Sequence, residues 1–105
     1  MDDRIGIRPQ ARMDVVELAT YIGKDNIAAA NRFLDACEGT FEFLLQSPQI
    51  GTIYHTRNPR LIDLRVFRVK GFPNHLAFYL ERPDGIEIVR VVHGARELDS
   101  LLHDE

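Results

Sequence analysis

The 105-residue chain has no tryptophan and a single cysteine, Cys37. One thiol cannot close an internal disulfide, so nothing covalent staples the fold and a reducing cytoplasm is the expected home. Long apolar runs are missing as well. They stop after a few residues, Ile88-Val89 and Val91-Val92 among them, against the roughly 20 that a membrane-spanning helix needs. The acidic start Met1-Asp2-Asp3-Arg4 leads straight into patterned sequence, with no signal-peptide pattern in view. Lysine is scarce: Lys24 and Lys70 stand against eleven arginines. The net charge of -3 speaks against a dedicated nucleic-acid binder, which usually carries a basic surface.

What is present suits one folded domain spanning residues 1–105, with 45% hydrophobic and 28% charged residues. Arg4 to Arg8 alternates polar and apolar, a short strand signal. Pro9 suits the first turn of a helix, and Ala11, Val15, Leu18 and Ile22 then form one amphipathic stripe. Gly23 and Asp25-Asn26 interrupt it, and either Asp25 or Asn26 can cap a second helix. That helix sets Ala30, Phe33, Leu34, Cys37, Phe41, Leu44 and Leu45 on one face and stops before Pro48. Two helices joined so closely are expected to pack as an antiparallel hairpin.

Periodicity dissolves between Ser47 and Asp63, where Pro48, Gly51, Asn58 and Pro59 are turn residues. Three strands are expected next: Leu64 to Val69, His75 to Glu81 after a turn at Gly71-Phe72-Pro73-Asn74, and Ile86 to His93 after Pro83-Asp84-Gly85. The last is the most apolar, which argues for a central position covered on both sides. Glu97 to His103 reads as a short closing helix with Leu98, Leu101 and Leu102 inward. The expected fold is α+β, in the order β-α-α-β-β-β, with the helix hairpin covering a small antiparallel sheet and a short C-terminal helix.

The chain also carries a family resemblance. Ala11-x-x-Asp14-Val15-x-x-Leu18-x-x-Tyr21-Ile22 resembles the first-helix signature of ParE-type toxins. Ala29-Ala30-Asn31-Arg32-Phe33 is similar to their second-helix start, and Leu44-x-x-Ser47-Pro48-x-x-Gly51 to the loop leaving it. Leu64-Arg65-Val66, Phe78-Tyr79 and the run Ile88 to Glu97 complete six motifs in order. The resemblance implies a RelE/ParE-like fold and the toxin of a type II toxin–antitoxin (plasmid stabilisation) system. It further implies neutralisation by a ParD-like antitoxin, in a heterotetramer or larger complex, and inhibition of DNA gyrase.

RelE-type relatives instead cleave mRNA on the ribosome, with basic residues on the sheet and a tyrosine near the C-terminus. By that resemblance Arg96 meets a basic position, but the tyrosine position falls near Leu102, and the paired lysines are replaced by Arg65 and Arg68. Arginine stays protonated at ordinary pH and is a poor proton shuttle. No catalytic residue is therefore assigned. His75 and His93 are the possible acid and base of an unorthodox nuclease, and the ordinary alternative is a packed strand histidine. Tyr79 can stack on a base or simply pack.

The histidines at 55, 75, 93 and 103 and the lone Cys37 lack the paired spacings of a metal site. No phosphate loop or nucleophile motif calls for a cofactor. Residues 55 to 75 hold Arg57, Arg60, Arg65, Arg68 and Lys70 against the single acid Asp63. Arginine suits interface ion pairs, so Arg57, Arg60, Arg65 and Arg68 are candidate anchors on an acidic antitoxin or target. With His75, Tyr79, Arg90, His93 and Arg96 they make up the candidate contact set. The antitoxin groove is expected on the apolar sheet face and the outer surface of the helix hairpin. The competing readings are a ribosome-dependent endoribonuclease and a non-toxic relative kept for complex formation.

Overall fold

A three-residue strand at the start of the chain decides the character of the sheet. In the computed structural model, which describes residues 2–94, 98–103 and 105, this strand, β1 (Ile5–Ile7), lies parallel to β5 (Gly85–His93), with Ile5 opposite Ile86 and Ile7 opposite Ile88. The sheet is therefore mixed rather than wholly antiparallel. Between them in sequence come helices α1 (Pro9–Gly23) and α2 (Ile27–Gln46), the two-residue strand β2 (Thr52–Ile53), a 3-10 turn at Pro59–Leu61, and strands β3 (Arg65–Val69) and β4 (Phe72–Arg82). Helix α3 (Leu98–Leu102) follows. The spatial order is β1-β5-β4-β3-β2, so the central strand is β4, while β5, expected at the centre, lies one place off it, flanked by β1 and β4.

Local chemistry sets most of the boundaries. Pro9 begins α1, where its missing N–H costs nothing. Asn26, not Asp25, caps α2: its side chain accepts from the Ala29 N–H at 2.9 Å. The turn between β3 and β4 is tighter than Gly71 to Asn74. Val69 already pairs with Phe72, and Gly71 takes φ +80, a left-handed conformation that side chains resist. β4 consequently begins at Phe72 and includes Pro73.

Each face of the sheet has its own core. On one face α1 and α2 pack Ala11, Ala19, Phe33, Cys37, Phe41 and Leu44 against Ala77, Tyr79, Ile88 and Val91. On the other, Leu61 and Leu64 of the long loop and Leu102 of α3 cover Phe78, Leu80, Val89 and Val92. Leu34, expected on the buried face of α2, is instead exposed, and Thr40 takes a buried place with its hydroxyl on the Ala36 carbonyl.

One charged contact crosses from helix to sheet. Asp14 of α1 is 6% exposed, and its Oδ2 accepts from Arg90 Nε at 2.7 Å and from the Val91 N–H at 3.0 Å. Its Oδ1 accepts from Arg90 Nη2 at 3.0 Å and Gln10 Nε2 at 3.1 Å. Arg90 also donates from Nη1 to the Leu101 carbonyl at 2.8 Å, tying α3 to the same strand. Removing one partner of such a pair strands the other charge in the interior. Asp14→Ala is expected to lose about 3–5 kcal/mol of stability, read as a lowered urea midpoint. The double variant Asp14→Leu/Arg90→Met is expected to lose clearly less than the two single losses combined.

Candidate functional site

The arginine set does not converge. β3 alternates, so Arg65 and Arg68 point to opposite faces of the sheet. Arg65 turns toward the helix side, and its Nη1 donates to the carbonyls of Gln49 at 3.0 Å and Gly51 at 2.7 Å. It holds its own chain rather than a partner. Arg68, Arg57 and Arg60 are exposed. Arg57, at 95% side-chain exposure, has Asp99 3.8 Å away.

Two further candidates are withdrawn from the surface by burial. Tyr79 is completely buried. Its hydroxyl donates to the Pro48 carbonyl and accepts from the Gly51 N–H, both at 2.9 Å. It therefore anchors the chain leaving α2 and cannot stack on a base. Gly51 is required there, since a Cβ would come within 2.5 Å of the Tyr79 hydroxyl oxygen. Arg90 belongs to the buried pair with Asp14 and offers nothing to a partner. Arg96 lies outside the described residues.

His75 and His93 are brought together. They are direct partners across β4 and β5, with ring centroids 5.2 Å apart at 85°. His75 also stacks on Phe33 of α2 at 4.9 Å and on Phe72 at 6.1 Å, and its Nδ1 is buried with no hydrogen-bond partner among the described residues. Burial first, and the neighbouring His93 second, hold its pKa below the ordinary 6.5. His93 is exposed. A cross-strand imidazole pair can pass a proton, but His75 is also a packing residue that joins α2 to the sheet.

An apolar concavity lies elsewhere. A groove of about 450 Å³ opens beside α1, α2 and β1. Ile5, Cys37 and Phe41 form its buried wall, while Val16 and Leu34 remain 58% and 40% exposed. Asp2, Glu38 and Glu42 against the single Arg12 make its charged lining mainly acidic. Burial pushes the Cys37 thiol up to about 12, so it is no nucleophile. The hairpin also exposes Met13, Tyr21 and Ile27. The apolar sheet face, by contrast, is no groove: Leu61, Leu64 and Leu102 fill it at 1% exposure or less. Among the described residues no group of three or more His, Cys, Asp or Glu side chains is placed to hold a metal ion, and no helix is long and apolar enough to cross a membrane.

Sequence reasoning missed Asn58. It is buried, and its Nδ2 donates to the carbonyls of Leu102 at 2.8 Å and His103 at 3.1 Å, latching the loop to α3. An asparagine before proline reads as a turn, and nothing local announces that its amide is used 44 residues away. Asp14 had a signal, a carboxylate one helical turn from Ala11 on the apolar stripe, but its partner did not.

The histidine pair has a consequence for pH. Unfolding returns His75 to an ordinary imidazole that takes up a proton below about pH 6.5, so acid favours the unfolded chain. This contribution is fully present above that pH and fades as pH falls toward the lowered value of the folded state. The thermal midpoint of His75→Phe is therefore expected to fall less than that of the wild type between about pH 7.5 and about pH 5.5. Differential scanning calorimetry at the two pH values reads the difference.

Residues 5–98 match the family model described as the ParE toxin of type II toxin-antitoxin system, parDE. Comparison with curated proteins gives no match. With nearly the whole patterned chain matched and the α+β architecture in the expected order, the chain belongs to the ParE toxin family of type II toxin–antitoxin systems.

Proposed function

We propose that this ParE-family toxin acts by gripping a protein target, DNA gyrase, and is neutralised by a ParD-like antitoxin laid on the helix hairpin. The observation that carries this reading is the division of the surface. Five exposed large apolar side chains lie on the hairpin, and two of them, Val16 and Leu34, line the open side of its groove; apolar patches of this kind mark interaction sites. An amphipathic helix seats in a groove of this kind. With Asp2 already paired to Arg4, Glu38 and Glu42 leave the lining acidic and favour a segment that brings lysine or arginine beside its apolar face.

The side chains suited to proton transfer are few by comparison. Tyr79 and Arg90 are buried in structural roles. Leu102, near which the RelE-type tyrosine position falls, is packed in the second core. A ribosome-dependent nuclease is the second reading, and the adjacent His75 and His93 favour it.

Purified protein separates the two. Inhibition of gyrase supercoiling, with no mRNA cleavage in a translating ribosome extract, is expected. Activity only in the extract, lost in His75→Gln or His93→Gln, would establish the nuclease instead. For the antitoxin surface, Val16→Glu and Leu34→Glu together are expected to weaken binding of the ParD-like antitoxin, a short ribbon-helix-helix protein expected in the adjoining reading frame, by about tenfold or more. Isothermal titration reads the loss, and an unchanged affinity would move the antitoxin off the hairpin.

A further inference from the structure

The long loop between α2 and β3 reads as patternless, yet it is pinned along its length. Tyr79 and Arg65 hold residues 48 to 51 on the helix side of the sheet. The chain then rounds the β2 edge. On the far side the Tyr54 N–H donates to the Leu64 carbonyl at 2.8 Å, and the Tyr54 ring stands edge-on to Phe78 at 5.1 Å. Asn58 clamps Leu102 and His103, its Oδ1 accepts from the Arg60 N–H at 3.0 Å, and Leu61 is wholly buried.

Six consecutive residues, Arg57-Asn58-Pro59-Arg60-Leu61-Ile62, are thereby sorted into two sets. Asn58 and Leu61 point inward, while Arg57, Pro59, Arg60 and Ile62 are held outward, Ile62 at 78% exposure. An apolar side chain that a fixed turn keeps in water gains nothing for the fold. Preorganised in this way, it loses little freedom when a partner covers it. The two arginines beside it are the residues that most often anchor such contacts. Arg68 is exposed at a β3 position on this same side of the sheet, opposite the helix hairpin.

We infer that the 3-10 turn, with Arg57, Arg60 and Ile62, is a second docking surface, for an acidic protein partner that also presents an apolar contact. The inference rests on the reading of the chain as a protein-binding toxin, and assigns this turn to the target while the hairpin serves the antitoxin. A nucleic acid fits less well. Ile62 offers a base neither charge nor an aromatic face, and the chain as a whole is acidic.

The test uses the full chain, with Arg57→Glu/Arg60→Glu and, separately, Ile62→Ser. All three positions are exposed, so unchanged thermal midpoints are expected. Affinity for purified DNA gyrase is expected to fall about tenfold or more in the double variant and by a smaller factor in Ile62→Ser. Binding to the antitoxin of the adjoining reading frame should stay within about twofold of wild type. Wild-type gyrase affinity that the variants do not alter would overturn the inference while leaving the gyrase reading intact. So would a loss of antitoxin binding in its place, or a loss seen only for a single-stranded RNA oligomer. Should the wild type not bind gyrase, that reading fails by itself and growth arrest on expression decides the inference. Arrest abolished in the double variant supports an acidic target of another kind. Arrest retained, or absent in the wild type, overturns the inference.

Discussion

The buried carboxylate of Asp14 is the point on which the architecture turns. A charge in the interior is tolerable only if its desolvation is offset, and here four hydrogen bonds converge on the two oxygens. Their origins matter more than their number. One comes from α1 itself, two from the guanidinium of β5 and one from the β5 backbone, so the carboxylate fixes helix against strand in position and in register. Arg90 then passes the constraint on. Its remaining amino group holds the Leu101 carbonyl, and Glu105 lies 4.0 Å from it. Helix α1, strand β5 and helix α3 are tied together through a single ion pair. Leucines in its place would pack, but they would not select one sliding position of α1 over the next.

With β5 committed on both sides, the sheet has no apolar face to offer. The helix hairpin takes one side, and the loop with α3 takes the other. Whatever the chain presents to another molecule has to come from the outer surfaces of those covers. This explains why the exposed large hydrophobics among the described residues are in two places, Met13, Val16, Tyr21, Ile27 and Leu34 on the hairpin and Ile50, Ile53 and Ile62 on the loop. It also explains why polar residues in the sheet, Tyr79 and Arg90, are structural. In an interior covered on both faces they must be satisfied internally or not tolerated at all.

Sequence periodicity made the helices legible because their signals are local. The stripe of Ala11, Val15, Leu18 and Ile22 and the Asn26 cap need no knowledge of distant partners. The three strands of the meander were legible for the same reason, since each pairs with its neighbour across a short turn. What escaped depends on long range. The alternation from Arg4 to Arg8 announced β1 as a strand, but nothing in it announced a parallel pairing with β5 some 80 positions later. β2 pairs with β3 just after the residues that Tyr79 and Arg65 hold at the sheet edge. Of the candidate contact residues, the arginine cluster was visible as composition, but whether an arginine faces water or a carboxylate is decided by strand parity and by the partner. Arg65 and Arg68 fall on opposite sides for that reason, and Arg90 is lost to Asp14. The pairing of His75 with His93 lies between these cases: the hairpin turn implies it, but the register shift between Phe78 and Tyr79 has to be known before the two positions can be matched.

The two covers differ in chemistry as well as in position. The hairpin groove is apolar with a largely acidic lining, whereas the loop turn is basic around an exposed isoleucine. Surfaces of opposite sign on opposite sides of one sheet favour different partners, because a segment suited to one is repelled by the other. On the proposed assignment, an antitoxin seated in the groove leaves the far face open, which poses a particular problem of control. Neutralisation then requires either a second antitoxin segment, acidic where the first is basic, reaching round the sheet edge, or enough bulk in the complex to keep the target away. The edge nearest the groove is β1, only three residues long, so a segment taking the first route gains few backbone hydrogen bonds on the way. Its hold on the far face would have to come from side chains, which places the selectivity of neutralisation on the arginines rather than on strand addition.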